Sequence, residues 1–388
     1  MAALGQKWGA KMTCGVLKKG SEVASGVSGE TSGFDFEGMR FGVKAWRASA
    51  SGAREGGSPV APIVFVHGFA QQASTWDDVA QLLTDAGARC FGFELAGHGV
   101  GACSAGDGPA ERSGFFDLLF QARALLAFCG TVARDAGVAP VLVGYSMGGR
   151  VALQAACLVA GDLQDGDQLD RISLRSSAAF APCGRTGRLD VAGAGQRDAA
   201  ATSAGDTVRM PAAAPFSALV LESAGLGPVD DAAREALCER NFVRAARVRD
   251  EGVSAFMDWW AGLPLFESQR ILPDEQRERL RAGRLANDAE SLALSFERAG
   301  AHAMPSQGES IRALCELAAK GIPVSYLAGE LDAKYCKVLA DLRAESQGAI
   351  SCRIVPAAGH NIHLEQPRAF GAVLEEVVES CTPKPAAP

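Results

Sequence analysis

The chain has 388 residues, 48% of them hydrophobic, and a formal net charge of −7 at pH 7. This length is long for one domain and short for two large ones, and the apolar fraction is ample for a sizeable core. The negative charge and the lack of a dense Lys/Arg stripe argue against a nucleic-acid-binding surface, and no apolar run approaches the roughly 18 residues that a membrane span needs.

The N-terminal part of the chain carries weak structural signals. Residues 1–38 are rich in Gly, Ser and Ala and show no sustained periodicity, so we predict a disordered extension. Arg40–Ala48 is a candidate first strand or hairpin arm. The apolar run Pro62–Val66 is bounded by proline and glycine, which is typical of a buried parallel strand. It leads directly into His67-Gly68-Phe69.

Strands and helices then alternate. The pattern predicts a helix over Thr75–Ala86, a strand over Cys90–Leu95, a helix over Phe115–Asp135, a strand over Val141–Val143 and a helix that includes Arg150–Leu153. Such alternation predicts an α/β fold with a mostly parallel central sheet and right-handed crossovers. We assign residues 39–160 to the first part of this core.

The second half of the chain resumes the pattern after an interruption. Residues 161–215 have few apolar clusters and are predicted to be a low-complexity insertion, and residues 216–229 carry the next core strand. Residues 230–308 form a run of helices without a strand, which indicates a helical cap over the carboxyl edge of the sheet. Residues 309–382 complete the core with strands at Val324–Ala328 and Ser351–Val355 and a closing helix at Gln366–Ser380.

The segment Gly144-Tyr145-Ser146-Met147-Gly148 matches the G-x-S-x-G nucleophile elbow. It lies between a predicted strand and a predicted helix, which is the context that the motif requires. A serine on this strained turn exposes its hydroxyl, and the flanking glycines remove Cβ atoms that would clash. We therefore predict Ser146 as a nucleophile or proton relay.

A serine of this kind needs a base, and the base needs an orienting acid. In α/β-hydrolases the three residues occur in the order Ser, Asp/Glu, His, each just after a strand. Asp332 and His360 satisfy that order and position. Their nearby rivals are Glu330 and His363.

Two further histidines fit a catalytic role less well. His302 lies in the predicted cap, away from a strand end, and His98 in Gly97-His98-Gly99 fits a loop-fixing role better than proton transfer. An oxyanion hole would use the backbone amide of Met147, at the start of the helix, and that of Phe69, in the loop after the first core strand.

Several segments together resemble the MenH family, whose members are 2-succinyl-6-hydroxy-2,4-cyclohexadiene-1-carboxylate synthases. The segments are residues 64–69 (Val-Phe-Val-His-Gly-Phe), 94–99 (Glu-Leu-Ala-Gly-His-Gly), 144–150 (Gly-Tyr-Ser-Met-Gly-Gly-Arg), 256–260, 263–266, 329–335 and 359–367. Glu94 and Ala96 depart from the Asp and Pro that the family usually has. The insertion and the N-terminal extension also have no counterpart in compact family members.

The resemblance implies a lyase of the α/β-hydrolase superfamily that acts in menaquinone or phylloquinone biosynthesis. A base removes a proton from a small polycarboxylate substrate, pyruvate is eliminated, and a conjugated cyclohexadiene results. His360 acting through Ser146 would be the base and Asp332 its orienting acid. The Phe69 and Met147 amides would bind the developing negative charge.

The resemblance also implies how the substrate carboxylates are bound. Arg150 and Arg284 match family substrate arginines, and Tyr145 and Trp259 match pocket residues that pack against the ligand. A third family arginine falls in the first cap helix, where both Arg234 and Arg240 match. An acidic protein that binds a polyanion needs such local cations, because guanidinium groups pair with carboxylates in a bidentate manner.

The alternative interpretation is an α/β-hydrolase that cleaves ester or C–C bonds of a small carboxylated substrate, since the same triad serves both reactions. No metal-ligand spacing, nucleotide loop or flavin fingerprint is found, so we predict no metal and no cofactor. The 11 cysteines lack paired spacings, and the N-terminus lacks the apolar segment of a signal peptide. Both features favour a cytoplasmic protein, whose oligomeric state stays open.

Overall fold

The computed structural model describes residues 29–46, 60–99, 113–164 and 214–381. Within these residues eight strands form one sheet. They are β1 (Gly29–Phe36), β2 (Met39–Trp46), β3 (Ile63–Val66), β4 (Cys90–Phe93), β5 (Val141–Tyr145), β6 (Ala218–Glu222), β7 (Val324–Gly329) and β8 (Ser351–Val355). Their order in the sheet is β1-β2-β4-β3-β5-β6-β7-β8. Strands β3 to β8 pair in parallel, and β1 and β2 are antiparallel to their neighbours.

The helices of the described residues are α1 (Asp77–Asp85), α2 (Leu118–Ala136), α3 (Met147–Gln164), α4 (Asp231–Ala261), α5 (Asp274–Leu285), α6 (Ala289–Ala299), α7 (Gln307–Ala319), α8 (Ala333–Glu345), α9 (Ile362–Glu365) and α10 (Pro367–Cys381). Short 3₁₀ segments lie at Ala73–Trp76, Gly114–Phe116, Pro264–Ile271 and Ala301–Ala303. The predicted α/β fold with a mostly parallel sheet is confirmed. None of the described helices combines the length and apolar character that crossing a bilayer requires.

The inner parallel strands β3, β4, β5 and β6 are buried and mostly apolar because both faces of the sheet are covered there, whereas the edge strand β8 is largely exposed. In β3, Val64 and Val66 point into one core, which the helices α2, α3, α7 and α8 complete. Ile63 and Phe65 alternate with them and point into a second core, which α1 and α10 complete. The sheet is therefore the middle layer of three.

The helices α4, α5 and α6 follow β6, and α4, α6 and the 3₁₀ segment Pro264–Ile271 form a third apolar cluster of their own. This cluster contains Phe256, Trp260 and Phe296, and it reaches Ala70 in the loop after β3. Contact with that loop places these helices over the carboxyl edge of the sheet, as expected of a cap. Within α4, Gly252 adopts φ 77° and ψ 166°, so the helix is interrupted at this glycine.

Two boundaries expected from the sequence are wrong. Residues 29–36, placed in the disordered extension, form β1, which pairs along its whole length with β2. The strand is stabilised because Phe34 and Phe36 are buried, and Phe34 packs edge-on against Phe128. Helix α3 also continues to Gln164, past the expected start of the insertion. Residues 1–28 and 165–213, which hold the rest of both expected segments, lie outside the described residues.

Candidate active site

The elbow lies where β5 ends and α3 begins. Ser146 adopts φ 50°, a left-handed conformation that costs a non-glycine residue strain. The backbone is packed so tightly here that a Cβ on Gly148 would lie 2.3 Å from the Val66 carbonyl oxygen. The Ser146 amide donates to the carbonyl oxygen of Glu222, at the end of β6, at 2.9 Å. Neighbouring strands therefore hold the serine in its strained turn.

The structure brings Ser146, Asp332 and His360 together. Nδ1 of His360 donates to Oδ2 of Asp332 at 2.7 Å, and Nε2 lies 3.2 Å from the Ser146 hydroxyl oxygen. Asp332 follows β7 and caps α8 by accepting from the Tyr335 amide. His360 follows β8, in a loop that Glu365 fixes by accepting from the Gly359 amide. The three side chains have the connectivity of a Ser-His-Asp triad.

The environment of His360 favours its neutral form. Burial lowers the pKa of the imidazole, and the hydrogen bond and negative charge of Asp332 oppose that effect. Glu222 also raises this pKa, whereas Lys334 lowers it. A neutral imidazole whose Nδ1 proton is committed to Asp332 presents a free electron pair on Nε2 toward Ser146. This is the form that a general base requires.

The rival residues have other partners. Glu330 accepts from the Ala357 amide at 2.9 Å, and His363 donates from Nδ1 to Glu222 at 2.8 Å. His302 lies in the cap, between the Asn241 side chain and the Glu297 carbonyl oxygen. Of the acid and base candidates, only Asp332 and His360 are joined to Ser146 among the described residues.

His98 fixes the loop that carries Phe69, in agreement with its expected role. The Ala70 amide donates to Nε2 of His98 at 3.1 Å, and Nδ1 donates to the Ala96 carbonyl oxygen at 3.0 Å. Burial lowers the pKa of His98 to about 3, so the ring stays neutral. Glu94 supports the same loop by accepting from the Ala73 amide at 3.0 Å.

The loop after β3 packs against the start of α3. The close approach of Gly148 to the carbonyls of Val66 and His67 shows this contact. It places the Phe69 loop beside Met147, whose amide begins α3. The Phe69 ring in turn packs on Phe296 and Trp260 of the cap, with ring centres 4.3 and 5.0 Å away.

Three arginines converge above the elbow without carboxylate partners among the described residues. They are Arg150 on α3 and Arg240 and Arg244 on α4. Burial lowers the pKa of Arg150 to about 10, and the positive charge of Arg240 adds to this effect. The pKa of Arg244 is lowered to about 10 by burial and by both other arginines. The buried Nε of Arg150 has no acceptor in the described part of the chain. Desolvated cations that repel one another are costly unless an anion binds between them.

Arg284 reaches the other side of the site. It is buried on α5, donates to the Gln269 side chain at 3.1 Å and lies over the Phe266 ring. The Phe266 ring contacts His360, with ring centres 5.8 Å apart. Burial lowers the pKa of the Arg284 guanidinium, and Tyr145 raises it. This arginine therefore lies close to the triad.

The two candidate arginines of the first cap helix behave differently. Arg234 donates to the backbone carbonyls of His302 and Met304, the latter at 2.7 Å, and so ties α4 to the 3₁₀ segment that follows α6. Arg240 instead faces Arg150 and Arg244. Of the two, Arg240 is thus the arginine whose charge acts on Arg150 and Arg244, whereas backbone carbonyls engage Arg234.

The aromatic residues predicted to line the site differ in how close they lie to the triad and to the Phe69 loop. Tyr145 is buried at the end of β5, and its ring centre lies 5.3 Å from that of His360. Trp259 packs against Phe256 and under the Arg247 guanidinium, on the outer side of the cap cluster. Its neighbour Trp260 contacts Phe69. Trp260 is therefore the tryptophan that lies beside the predicted oxyanion loop.

Sequence reasoning missed Arg244, Trp260 and Glu222. The spacing of Arg240 and Arg244 by four residues, which places them on one helix face, was a usable signal. Glu222 gave no signal beyond its position at a strand end. Within the described residues, no group of three or more His, Cys, Asp or Glu side chains is arranged to hold a metal ion.

A serine at a strained turn after β5, joined to a His–Asp pair from the loops after β7 and β8, defines a class of α/β proteins with a serine-centred site. Residues 63–373 match the alpha/beta hydrolase family model. The chain belongs to this family.

Two of the relatives that the chain resembles have an assigned activity. A 2-succinyl-6-hydroxy-2,4-cyclohexadiene-1-carboxylate synthase of Escherichia fergusonii is 28% identical over 83% of this chain and 96% of that protein. A Bacillus subtilis protein with the same activity provisionally assigned is 34% identical over 42% of this chain, and the match spans 57% of that protein, less than two thirds.

Solved structures show the same fold. MenH from S. aureus superposes with a TM-score of 0.61 at 22% identity, covering 87% of this chain and 98% of that chain. A thermophilic esterase from Thermogutta terrifontis superposes with a TM-score of 0.57 at 18% identity, covering 89% and 95%. At these identities the two structures establish the fold and not the reaction.

Proposed function

We propose that the protein is a MenH-like lyase. It would eliminate pyruvate from 2-succinyl-5-enolpyruvyl-6-hydroxy-3-cyclohexene-1-carboxylate to give 2-succinyl-6-hydroxy-2,4-cyclohexadiene-1-carboxylate. The observation that carries this proposal is the set of arginines without carboxylate partners, Arg150, Arg240 and Arg244, beside the Ser146–His360 pair. The relatives with this assigned activity, one of them matched over most of both chains, support the same substrate.

Binding follows from charge. The substrate carries three carboxylates, and the protein as a whole has a net charge of −7, so attraction must come from local cations. Arg150, Arg240 and Arg244 bind on the elbow side, and Arg284 binds on the side of Phe266. Tyr145 and Trp260 pack against the ring, and Trp259 remains a candidate because of the family match.

Proton abstraction is the task of the triad. Asp332 holds His360 with its proton on Nδ1, so Nε2 accepts the proton of the Ser146 hydroxyl while the serine oxygen takes the proton from the substrate carbon. The electrons of that C–H bond form the new C=C bond as the C–O bond to the enolpyruvyl group breaks. The imidazolium of His360 then gives up its proton, so that the released enolpyruvate becomes pyruvate and the triad returns to its starting form. No covalent bond to Ser146 is required.

Negative charge that develops on a substrate oxygen would be bound by the amides of Phe69 and Met147. The hydrogen bond from the Ala70 amide to His98 fixes the first of these donors. The start of α3 fixes the second. Because both are backbone groups in well-packed segments, they need no reorganisation during the reaction.

The test is the reaction itself. Purified protein is mixed with the enolpyruvyl precursor, pyruvate is followed with lactate dehydrogenase and NADH, and the diene is followed by its ultraviolet absorbance. We expect one pyruvate per diene, with both signals lost in Ser146→Ala. Hydrolysis of aryl esters without pyruvate release would contradict the lyase and favour the alternative, a hydrolase for esters or C–C bonds of a small carboxylated substrate.

A further inference from the structure

A second acid–imidazole pair lies directly behind the triad. His363 is fully buried and donates from Nδ1 to Glu222, at 2.8 Å to Oε2 and 3.0 Å to Oε1. Its backbone amide also donates to Oε1 of Glu222 at 3.1 Å. Glu222 is fully buried as well, and the mechanism above uses neither residue.

The pair joins the two halves of the site. Glu222 ends β6, and its backbone carbonyl accepts from the Ser146 amide at 2.9 Å. His363 lies three residues after His360, at the start of the short helix α9. Glu222 therefore contacts both halves of the site, because its backbone carbonyl binds the elbow and its carboxylate binds the loop that holds the base. A change in this connection would move Ser146 and His360 relative to each other.

The surroundings of His363 show which form its ring takes. Trp76 stacks on it with ring centres 3.8 Å apart and an angle of 21°, and Tyr145 meets it edge-on at 4.9 Å. Nε2 of His363 is buried and has no hydrogen-bond partner among the described residues. A proton on this nitrogen would be an unsatisfied buried donor on a charged ring, which costs more than an unpaired acceptor. The packing of the described residues therefore offers no acceptor for a proton on Nε2, while Nδ1 is committed to the carboxylate of Glu222.

We propose that Glu222 is a positioning residue that gives His360 a second carboxylate charge, and that His363 holds this carboxylate in place. The inference rests on the proposed role of His360 as the base. When His360 takes a proton, the imidazolium faces the charges of Asp332 and Glu222 together. Two carboxylates in place of one stabilise that charge and raise the basicity of Nε2.

The charged groups around His360 agree with this assignment. Asp332 and Glu222 raise the pKa of the ring, and Lys334 lowers it. The other groups packed on the ring are the neutral side chains of Tyr145, Tyr335 and Phe266. Burial raises the pKa of Glu365, hydrogen bonds from Gly359, Ser268 and Asn361 oppose this effect, and the charge of Glu222 adds a small further increase.

The experiment uses the rate at which a fluorophosphonate modifies Ser146 as a function of pH. This reaction needs neutral His360 but not the natural substrate, so it reports the base even if the lyase proposal fails. Glu222→Gln keeps the shape and the hydrogen-bond acceptor and removes the charge. In the plot of modification rate against pH, the acidic limb is the region in which the rate falls as His360 becomes protonated. We expect the acidic limb of Glu222→Gln to lie about one pH unit lower than that of wild type, because a negative charge near the imidazolium is lost.

His363→Gln is the matched control, because it keeps the charge of Glu222 and an N–H donor. We expect its acidic limb to stay at the wild-type position, although the Trp76 stack is lost. A limb in Glu222→Gln that does not move would overturn the proposal. So would a limb in His363→Gln that moves to higher pH, because that shift would mean that His363 carries a positive charge.

A measurement on the unmodified protein covers the case in which Glu222→Gln does not fold. Nitrogen NMR of the five histidines would show His363 as the neutral Nδ1–H tautomer throughout the pH range in which His360 titrates. A protonated His363 in that range would contradict the assignment. If Glu222→Gln shows the shifted acidic limb but wild-type protein releases no pyruvate, this inference stands and the lyase proposal is wrong.

Discussion

The guanidinium of Arg244 lies 5.3 Å from the centre of the Trp260 ring, over an aromatic wall that also includes Phe296. The contact holds a charge at the edge of the site where no carboxylate of the described residues pairs with it. Trp260 in turn touches Phe69, which carries a predicted oxyanion amide. One cation–π contact therefore links a proposed substrate-binding cation to the loop that carries the proposed oxyanion donor.

Arg244→Gln should weaken binding of the carboxylated substrate. We expect KM to rise about tenfold or more, because a charge-assisted hydrogen bond contributes roughly 1.5–3 kcal/mol. Steady-state kinetics of pyruvate release measure the effect. Arg247→Gln is the control, since Arg247 lies on the same helix but pairs with Glu251 and covers Trp259. Equal effects in the two variants would remove Arg244 from the binding site.

Ser146→Ala should reduce turnover by several orders of magnitude, because loss of one triad member disables the relay. Ser223→Ala is a close control. Ser223 is buried where Ser146 is half-buried, has a similar positive φ of 47°, and its hydroxyl has no partner among the described residues. We expect near-normal turnover in the control and unchanged thermal unfolding in Ser146→Ala. Normal activity of Ser146→Ala would refute the serine mechanism.

Gly148→Ala should destabilise the elbow. Its Cβ would lie 2.3 Å from the Val66 carbonyl oxygen, which is backbone and cannot move aside. We expect a loss of about 2 kcal/mol or more in the free energy of unfolding, together with lower activity. In Gly130→Ala, on α2, the new Cβ would meet only the end of Arg134 at 3.6 Å. Urea unfolding should separate the two variants, and equal stabilities would contradict the packing at the elbow.

Tyr326→Phe should affect stability without affecting chemistry. The Tyr326 hydroxyl donates to the Ala224 carbonyl oxygen in the core, and its removal leaves that acceptor unsatisfied. We expect the free energy of unfolding to fall by about 1–3 kcal/mol. The kcat of pyruvate release should stay within about twofold of wild type, because the hydroxyl bonds the backbone that follows β6 and no member of the triad. A large loss of kcat would place Tyr326 in the reaction.

His98 should make stability depend on pH. The folded state holds its pKa at about 3, below the ordinary value of about 6.5 in the unfolded chain. Between these values only the unfolded chain binds the proton, so stability is present above about pH 6.5 and is lost as the pH falls. From pH 7 to pH 5 this histidine alone should cost about 2 kcal/mol.

Urea unfolding of wild type and His98→Gln at both pH values measures this contribution. The variant is expected to be less stable at pH 7, because the Ala70 amide loses its partner, but to lose about 2 kcal/mol less on acidification. His302 and His360 also have lowered pKa values and contribute equally to both proteins. The same pH dependence in both proteins would show that His98 is not the group responsible.

Much of the site was accessible from sequence because each of its central residues follows an apolar strand. Ser146, Asp332 and His360 are far apart along the chain, yet the carboxyl ends of parallel strands share one edge. Order and strand position were enough to bring them together. The roles assigned to them remain a proposal.

The remaining features were hidden for physical reasons. In β1 only the last residues, around Phe34 and Phe36, show the alternation of a strand, and its first half reads as a polar linker. Arg240 and Arg244 have the same sequence appearance as arginines that pair on a helix surface. Only their position in the folded chain, where their charges act on one another and on Arg150, distinguishes them. The burial of Glu222 and its pairing with His363 could not be predicted, because a lone carboxylate at a strand end usually contacts solvent.

The chain leaves the α/β core twice, after α3 and after β6, and the two exits lie at opposite ends of the parallel strands. Helix α3 starts at the elbow and runs back along the sheet to Gln164, and β6 starts at Ala218, so both of these residues lie remote from Ser146. The cap joins the near edge, where Trp260 touches Phe69 and Phe266 touches His360. A substitution in the cap is therefore transmitted to the elbow region through two ring contacts.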